Sequence, residues 1–420
     1  MKYLFSLLLY ILCVKKYFQS YIIYPFQKST KEKNIYPENL LQNDIEITLK
    51  IGTPPQNINL NLRSKVYTFF ISSTKANLPY PAFNESSSTT LIKETQYPDA
   101  YGGQEYDKGY KIYESIIINE KEIKNVSLIL ATSVIYKQSG ALGLRLVDSH
   151  EFAGDLSFIY QIKNPANLDN YAFTLRYDEN NDEKGELIIG TYPHLYDEKY
   201  NENNFYYTKA GLLGNNVDWV LDFDIIRYDN ITIQSIITKS LIQIEFGLIQ
   251  APFKLKQYFN EKFFENKCKE KFYSKRNITL IHCDKNFNII NFKNLSFILK
   301  DIDYEFILTY KELFIEENDE YIFAIAFDEN VDKKDMTWIL GKPFMKKYQL
   351  VYDLDRKIIG IYKDNIIGKN YSLIIIIVLL IFLLLVVLGL VIYIIYFLTK
   401  RRRKRAFELN DDNYDYFPSS

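Results

Sequence analysis

Histidine and cysteine are scarce in this chain of 420 residues, with three of each. The histidines, His150, His194 and His282, are far apart and show no ligand spacing, so the sequence predicts neither a metal centre nor a cofactor. Glycine-rich phosphate loops and the Gly-x-Ser-x-Gly elbow of serine hydrolases are missing too. The 51 Lys and Arg residues nearly balance the 52 Asp and Glu residues, which leaves no basic field to attract nucleic acid.

Uncharged runs, by contrast, occur near both ends of the chain. After Lys2 the sequence is apolar as far as Val14, which is too short to span a bilayer and predicts a signal peptide over residues 1–20, with an uncleaved anchor as the alternative. Leu373 to Leu398 is long enough for a transmembrane helix, and the basic residues 400–405 follow it. The positive-inside rule then predicts a type I protein with a cytoplasmic tail over 399–420.

The region between these runs carries features of a secreted domain. Six Asn-x-Ser/Thr sequons precede or adjoin the second apolar run. Five of them predict N-glycosylation, at Asn84, Asn125, Asn230, Asn277 and Asn294, and the sixth, Asn370, abuts the predicted membrane span. Cys13 lies in the first apolar run, so Cys268 and Cys283 remain as a pair, which predicts one disulfide; two free thiols are the alternative. We therefore expect a membrane glycoprotein of the secretory pathway or cell surface, with this region lumenal or extracellular.

Short alternating segments predict an all-β domain here. Ile45–Ile51 alternates apolar and polar residues, and residues 114–120, 230–238 and 295–301 do so less strictly. Helical spacing is clear only over residues 254–273, where apolar side chains recur three to four positions apart. That segment is predicted to be a helix.

Several segments together resemble the pepsin-like aspartic proteases (peptidase A1). They are the opening Ile51-Gly-Thr-Pro-Pro-Gln-Asn57, the serine-rich 83–90, the glycine-containing 140–144, the hairpin 185–190, the strand 219–225 and the closing Trp338-Ile-Leu-Gly341, which continues to Ile361. The resemblance covers roughly residues 40–362. It implies a mostly β, bilobal barrel fold with an interlobe cleft, in which a short segment 21–40 precedes lobes at 41–210 and 211–365. It also implies that Cys268 and Cys283 form the second-lobe disulfide and that Tyr106 is the flap tyrosine.

The resemblance requires two catalytic aspartates, each in an Asp-Thr/Ser-Gly loop, that share one proton. No such tripeptide occurs in the chain. Counting from Ile51 without a gap places the first loop at Arg63-Ser64-Lys65. An arginine has no acceptor and stays protonated at any working pH, so it cannot act as acid or base.

The second loop has two possible placements. Without a gap, counted back from Ala251-Pro252, the aspartate position falls on Gln243, the placement we favour. A two-residue deletion would instead align Glu245-Phe-Gly247 and let Glu245 pair with Arg63 across the cleft. Asp222 and Asp224 lie on a strand with no following glycine and are predicted to face solvent.

The sequence therefore favours a pepsin-like pseudoprotease over an active enzyme. We expect its cleft to bind a peptide or protein, and the cations Arg63 and Lys65 favour acidic ligands. The alternative is an active aspartic endopeptidase whose atypical dyad includes Glu245, although the mechanism needs two carboxylates.

Overall fold

The computed structural model describes residues 21–29, 37–97, 106–135, 138–147, 156–181, 183–214, 216–265, 267–330, 335–363 and 388–400. The chain forms two compact units, 1–363 and 364–420. In the second unit, residues 388–400 are helical. Among the described residues no helix is long and apolar enough to cross a membrane, and most of the predicted span 373–398 lies outside them. The predicted signal peptide and cytoplasmic tail also lie outside the described residues, apart from Thr399 and Lys400.

The first unit is built mainly of strands. In its first half they are β1 (Ile22–Lys28), β2 (Ile45–Ile51), β3 (Gln56–Arg63), β4 (Phe70–Ser72), β5 (Ile92–Tyr97), β6 (Tyr106–Ile118), β7 (Lys121–Val134), β8 (Gly140–Gly143), β9 (Ala172–Tyr177), β10 (Lys184–Ile189) and β11 (Phe205–Lys209). The strand predicted over Ile45–Ile51 is confirmed with the predicted bounds. Its apolar residues are buried, as its alternation requires.

The second half adds shorter strands. They are β12 (Leu212–Leu213), β13 (Asn216–Val217), β14 (Val220–Phe223), β15 (Ile225–Tyr228), β16 (Ile231–Gln234), β17 (Thr238–Ile242), β18 (Ile249–Ala251), β19 (Lys269–Tyr273), β20 (Ile278–Asp284), β21 (Leu295–Leu299), β22 (Tyr304–Leu308), β23 (Phe314–Glu317), β24 (Glu320–Phe323), β25 (Ile325–Asp328), β26 (Trp338–Leu340), β27 (Val351–Asp353) and β28 (Ile358–Tyr362). The final antiparallel pair, β27 and β28, is joined by residues 354–357.

Two large sheets define the two lobes. The first contains 13 described strands in the order β11-β28-β27-β9-β10-β1-β2-β3-β8-β4-β7-β6-β5. The second has the order β14-β17-β26-β18-β25-β20-β24-β23, with β19 paired to β20, and a smaller sheet β16-β15-β21-β22 accompanies it. Because β27 and β28 come from the end of the chain but pair within the first sheet, the two lobes are tied together by shared backbone hydrogen bonds.

The two lobes repeat one arrangement of four strands. In the first lobe β3 pairs in parallel with β8, β8 pairs antiparallel with β4, and β4 pairs in parallel with β7. In the second lobe β17, β26, β18 and β25 pair in the same way and the same order. This internal repeat allows residues of the two lobes to be equated from strand register alone.

The helices are short: α1 (Glu38–Leu41), α2 (Phe158–Ile162), α3 (Pro193–Tyr196), α4 (Leu255–Lys262), α5 (Tyr310–Leu313) and α6 (Lys342–Lys347). The prediction of a helix over 254–273 is wrong beyond Lys262. Residues 269–273 instead form β19, which pairs with β20 beside the disulfide. Phe263 and Phe264 continue the apolar pattern only because they are buried where the chain turns after α4.

The segment 21–40 is part of the fold. Strand β1 lies between β10 and β2, and Phe26 is buried against Tyr177. Farther on, Leu41 is buried in a cluster of second-lobe residues that includes Leu248 and Leu280. The N-terminal chain therefore contacts both lobes.

Candidate functional site at the junction of the lobes

Arg63 is the last residue of β3 and is 8% exposed. Its Nη1 donates to Asp44 Oδ1 at 2.7 Å, and its Nη2 lies 3.4 Å from Gln138 Oε1. The guanidinium charge is therefore offset by a carboxylate of the same lobe.

The repeat identifies the matching position in the second lobe. Arg63 pairs with Gly143 at the end of β8. In the second lobe the last pair between β17 and β26 is Ile242 with Leu340, so the next residues, Gln243 and Gly341, correspond to Arg63 and Gly143. Gln243 is 4% exposed, and its N–H donates to Leu340 O at 3.0 Å.

The following strands have the same spacing. Phe70 lies seven residues after Arg63 and pairs with Ala141, and Gln250 lies seven residues after Gln243 and pairs with Ile339. No gap is needed to superpose the two loops in register. This register supports Gln243, and not Glu245, as the counterpart of Arg63.

Glycine is required at Gly143 and at Gly341 because the backbone of another segment comes very close to each of them. A Cβ on Gly143 would lie 2.3 Å from the carbonyl carbon of Tyr67, and one on Gly341 would lie 2.0 Å from Leu248 O. Contacts this short exclude any side chain. Each of the two loops is therefore backed by a glycine, and the equivalent position in the loop is Arg63 in the first lobe and Gln243 in the second.

Glu245 crosses from the second loop to the first. Its Oε2 accepts hydrogen bonds from Ser64 N at 3.0 Å and from Ser64 Oγ at 2.8 Å. Ser64 Oγ in turn accepts a bond from Ile244 N at 3.0 Å. These bonds differ from the alternative in which Glu245 pairs with Arg63, because Glu245 accepts from Ser64 and Arg63 donates to Asp44.

Asn43 reinforces this junction from the N-terminal chain. Its Nδ2 donates to Ile244 O at 2.8 Å and to Tyr177 Oη at 2.9 Å, and its backbone N–H donates to Glu245 O at 3.0 Å. The second loop is thus bonded on one side by Ser64 and on the other by Asn43. We name the set Asn43, Ser64, Ile244 and Glu245 the interlobe clasp.

A buried ion pair lies near the clasp. Arg145 Nε donates to Asp218 Oδ2 at 3.1 Å, and Asp218 Oδ1 accepts from Trp219 N. Burial raises the pKa of Asp218 above its ordinary value, even though Arg145 acts in the opposite direction, and the charge of Glu245 adds to the rise. The next residue, Trp219, donates from its indole to Leu144 O at 2.7 Å, a further bond between the lobes.

Three other residues predicted for the site, Tyr106, Lys65 and Gly247, are not members of the interlobe clasp. Tyr106 begins β6 and is buried in a core cluster with Phe70. Residues 98–105, which precede it, lie outside the described residues, so its assignment as the flap tyrosine stays a prediction. Lys65 is exposed. Gly247 donates its N–H to Leu41 O at 2.9 Å and serves the docking of the N-terminal chain.

The two strand aspartates are not part of the clasp. Asp222 is exposed, as predicted. Asp224 is half-buried, because its Oδ2 accepts from Lys300 N at 2.8 Å. Although Asp222 is exposed, neighbouring protein atoms partly desolvate its carboxylate and raise its pKa, while Lys239 acts in the opposite direction.

Two of the three histidines, His194 and His282, have partners within the fold, and His150 lies outside the described residues. His282 is 3% exposed, and its ring lies against Glu320 at 2.8 Å and Tyr273 at 3.1 Å. His194 contacts Tyr362 Oη at 2.7 Å. Burial lowers the pKa of both imidazoles. Within the described ranges no group of three or more His, Cys, Asp or Glu residues could hold a metal ion.

The predicted disulfide between Cys268 and Cys283 is confirmed. Of the sequon asparagines, Asn84, Asn125, Asn230 and Asn294 are exposed and Asn277 is half-buried. Asn125 and Asn277 have a positive φ, 58° and 51°, as is common for asparagine in turns. These positions are compatible with glycosylation.

Sequence reasoning missed Asp44, Asn43 and Gln138. A signal for Asp44 was present in the hairpin of β2 and β3, because Ile51 pairs with Gln56 and Glu46 with Asn61. Extending that register by two residues places Asp44 opposite Arg63. No comparable local signal marks Asn43 or Gln138, whose partners lie far away in sequence.

Two lobes with one repeated strand arrangement, meeting at paired glycine-backed loops, define the architecture of the bilobal acid proteases. The family model described as eukaryotic aspartyl protease matches residues 46–363, and the chain belongs to that family. A comparison with curated proteins finds no match.

Proposed function

We propose that this chain is a membrane-anchored, pepsin-like pseudoprotease that binds an extended peptide or protein segment between its lobes. The observation that carries the proposal is the register equivalence of Arg63 and Gln243. A guanidinium and an amide occupy the two positions where the family mechanism needs carboxylates, so neither can share the required proton.

The contacts around these residues support a structural role for the loops. Arg63 is held by Asp44, and the carboxylate of Glu245 is occupied by two hydrogen bonds from Ser64. Both bonds are made to Oε2, whereas Oε1 is buried without a hydrogen-bond partner and could still accept a proton. A catalytic dyad needs a second carboxylate, however, and Arg63 and Gln243 supply none. Because Arg63 is ion-paired, a preference for acidic ligands depends on the exposed Lys65.

The topology and glycosylation parts of the proposal rest on the sequence. The sequence features are the apolar runs near both ends, the basic residues 400–405 and the five sequons in the region between the runs. The exposure of four sequon asparagines supports the proposed glycosylation.

Cleavage of a quenched-fluorescent peptide library by the purified full chain, at pH 3 to 7, tests the proposal. We expect no turnover that a transition-state-mimicking aspartic protease inhibitor suppresses, together with a cooperative thermal transition that shows the domain is folded. Saturable binding of library peptides, weakened in a Lys65→Glu variant for acidic members, would support the ligand assignment.

Inhibitor-sensitive turnover that is lost in Glu245→Gln would instead establish the alternative, an active endopeptidase with an atypical dyad. The matched control is Glu261→Gln, because Glu261 is an exposed glutamate on α4. Loss of turnover in both variants would point to a general loss of stability.

A further inference from the structure

The side chain of Gln243 is buried but makes no hydrogen bond within the part of the chain that the structure describes. The residue is 4% exposed, its backbone N–H donates to Leu340 O, and its backbone carbonyl accepts from Phe246 N. Neither terminal atom of the carboxamide is among the fully shielded polar atoms that lack a partner, so the tip of the side chain reaches solvent. Buried amides are hydrogen-bonded in the large majority of cases, so this exception requires an explanation.

The matching residue of the first lobe, in contrast, has partners within its own lobe. Arg63 donates to Asp44, and its second terminal nitrogen lies within hydrogen-bond distance of Gln138. Of the two positions that the strand register equates, the position of Gln243 is therefore the one whose polar side-chain atoms remain available to a ligand.

Alternation along β17 decides which face of the sheet carries this side chain. Ile242 is buried in the core, and successive side chains of a strand point to opposite faces. The bond from Gln243 N to Leu340 O continues the parallel ladder of β17 and β26, so the alternation extends to Gln243. The carboxamide therefore lies on the same face as the side chains of Leu241 and Lys239.

That face is turned toward the first lobe. Leu241 pairs with Val220 of β14. Two residues before Val220, and so on the same side of the chain, Asp218 bonds to Arg145 of the first lobe. A side chain on this face, such as that of Gln243, can therefore contact a segment that lies between the lobes.

An open cavity of about 480 Å³ lies farther along the same face. Lys239 of β17 and Asp222 of β14 are directly opposite each other, and both line the cavity. Leu241, which separates Lys239 from Gln243, is half-buried. Four residues of a strand span about 13 Å, so a short extended segment that contacts Gln243 can continue into this cavity.

We propose that the Gln243 carboxamide holds the main chain of the ligand, by accepting from the N–H and donating to the C=O of one extended residue. This inference rests on the proposed function. A carboxamide carries both an acceptor and a donor, and the N–H and C=O of one residue in an extended chain point to the same side. The contact involves no ligand side chain, so it is independent of the ligand sequence. It replaces proton transfer at this position by binding.

Equilibrium binding of a labelled peptide to the full chain tests the proposal. The probe is the peptide of the library described above that binds the wild type most tightly, with a fluorophore attached for anisotropy. We expect Gln243→Leu to weaken binding about tenfold or more, because two hydrogen bonds are lost. The thermal midpoint of the variant should equal or exceed that of the wild type, because the carboxamide has no partner within the described fold.

The matched control is Gln250→Leu. Gln250 is 9% exposed but lies in β18, where it pairs with Ile339 and Ala326, outside the loop that carries Gln243. This variant should keep the affinity of the wild type. Equal losses of affinity in the two variants would overturn the proposal.

A scan of the probe's backbone identifies the group that Gln243 binds, and it remains decisive if Gln243→Leu lowers the thermal midpoint. Each peptide N–H is replaced in turn by an ester oxygen. One replacement should weaken binding to the wild type several-fold and leave binding to Gln243→Leu unchanged. Replacements that act equally on both proteins at every position would contradict a main-chain contact at residue 243.

These outcomes separate the inference from the proposed function. Saturable binding that is insensitive to Gln243→Leu retains a peptide-binding site between the lobes and removes the role of Gln243. A folded chain that binds no peptide of the library overturns both.

Discussion

At the residue scale, the hydroxyl of Ser64 is central to the contact between the lobes. It accepts a bond from the backbone of Ile244 and donates to Glu245, and Ser64 is 3% exposed. In the family pattern a Ser or Thr at this position fixes the catalytic loop. Here the hydroxyl joins the loop that contains Arg63 to the loop that contains Gln243.

Ser64→Ala should lower the free energy of unfolding by about 1–3 kcal/mol, because the buried Ile244 N–H and the Glu245 carboxylate each lose a partner. Urea unfolding of the purified chain measures the change. Ser64→Thr keeps the hydroxyl and is the matched control, expected to stay close to the wild type. An alanine variant as stable as the threonine variant would show that the clasp contributes nothing.

His282 links stability to pH. Burial holds the pKa of its imidazole below the ordinary value of 6.5, although Glu320 acts in the opposite direction. The unfolded chain therefore takes up a proton at a higher pH than the folded chain. This part of the stability is complete above about pH 6.5 and is lost as the pH falls toward the lowered pKa.

His282→Gln should show a smaller fall in the thermal midpoint between pH 7.5 and 5.5 than the wild type, whatever its effect at pH 7.5. The groups facing the imidazole are Glu320, Tyr273, Lys271 and Glu317, and a Glu317→Gln variant controls for the more distant charge. Parallel curves for His282→Gln and the wild type would contradict the assignment.

At the element scale, the disulfide closes the hairpin of β19 and β20. Cys268 and Cys283 are 15 residues apart, and Lys269 pairs with His282 next to the bridge. A bridge across a loop of this length stabilises by about 3 kcal/mol when it restricts the unfolded chain.

Replacing both cysteines by serine should lower the free energy of unfolding by about 3 kcal/mol and make the chain insensitive to reductant. Unfolding of wild type and variant, each with and without dithiothreitol, measures both effects. A wild type whose stability does not change on reduction would rule out a stabilising role for the bridge.

Elements with a strong local pattern could be predicted from the sequence, and those set by distant contacts could not. Ile45–Ile51 was found with its bounds because one alternating face is buried. The helix over 254–273 was overextended because Phe263 and Phe264 are buried by the tertiary fold after α4 has ended. Pairing with β20 then decides the conformation of residues 269–273.

The candidate site likewise has a part that could be predicted from the local sequence and a part that depends on distant contacts. Arg63 could be located because an ungapped hairpin connects it to the Ile51 motif. The choice between Gln243 and Glu245 could not be made locally, because it depends on the pairing of β17 with β26, nearly a hundred residues along the chain. The hydrogen bonds of the clasp join residues 180 and 181 positions apart, which no local pattern reveals.

At the scale of the whole molecule, β1 is an interior strand of the large sheet. Residues 22–27 pair with β10, and Gln27 and Lys28 also pair with β2. Phe26 is 2% exposed and packs edge-on against Tyr177.

Phe26→Ala should lower the free energy of unfolding by about 3–5 kcal/mol, because it leaves a cavity in the core. Chemical unfolding followed by circular dichroism measures the loss. Phe272→Ala is the matched control, since Phe272 is 52% exposed and should change the stability by less than about 0.5 kcal/mol. Equal effects at the two positions would mean that β1 is dispensable for the core.

The position of β1 also means that its sheet can be completed only late in synthesis. Strand β1 is synthesised first, its partner β10 follows more than 150 residues later, and β27 and β28 complete the same sheet only when residue 362 has emerged. At about 5–20 residues per second, β10 emerges roughly 8 to 30 seconds after β1, and β28 emerges roughly 15 seconds to a minute after it. Until β10 emerges, β1 has among the described strands only its two-residue pairing with β2, so nascent chains should depend on chaperones until the sheet is complete.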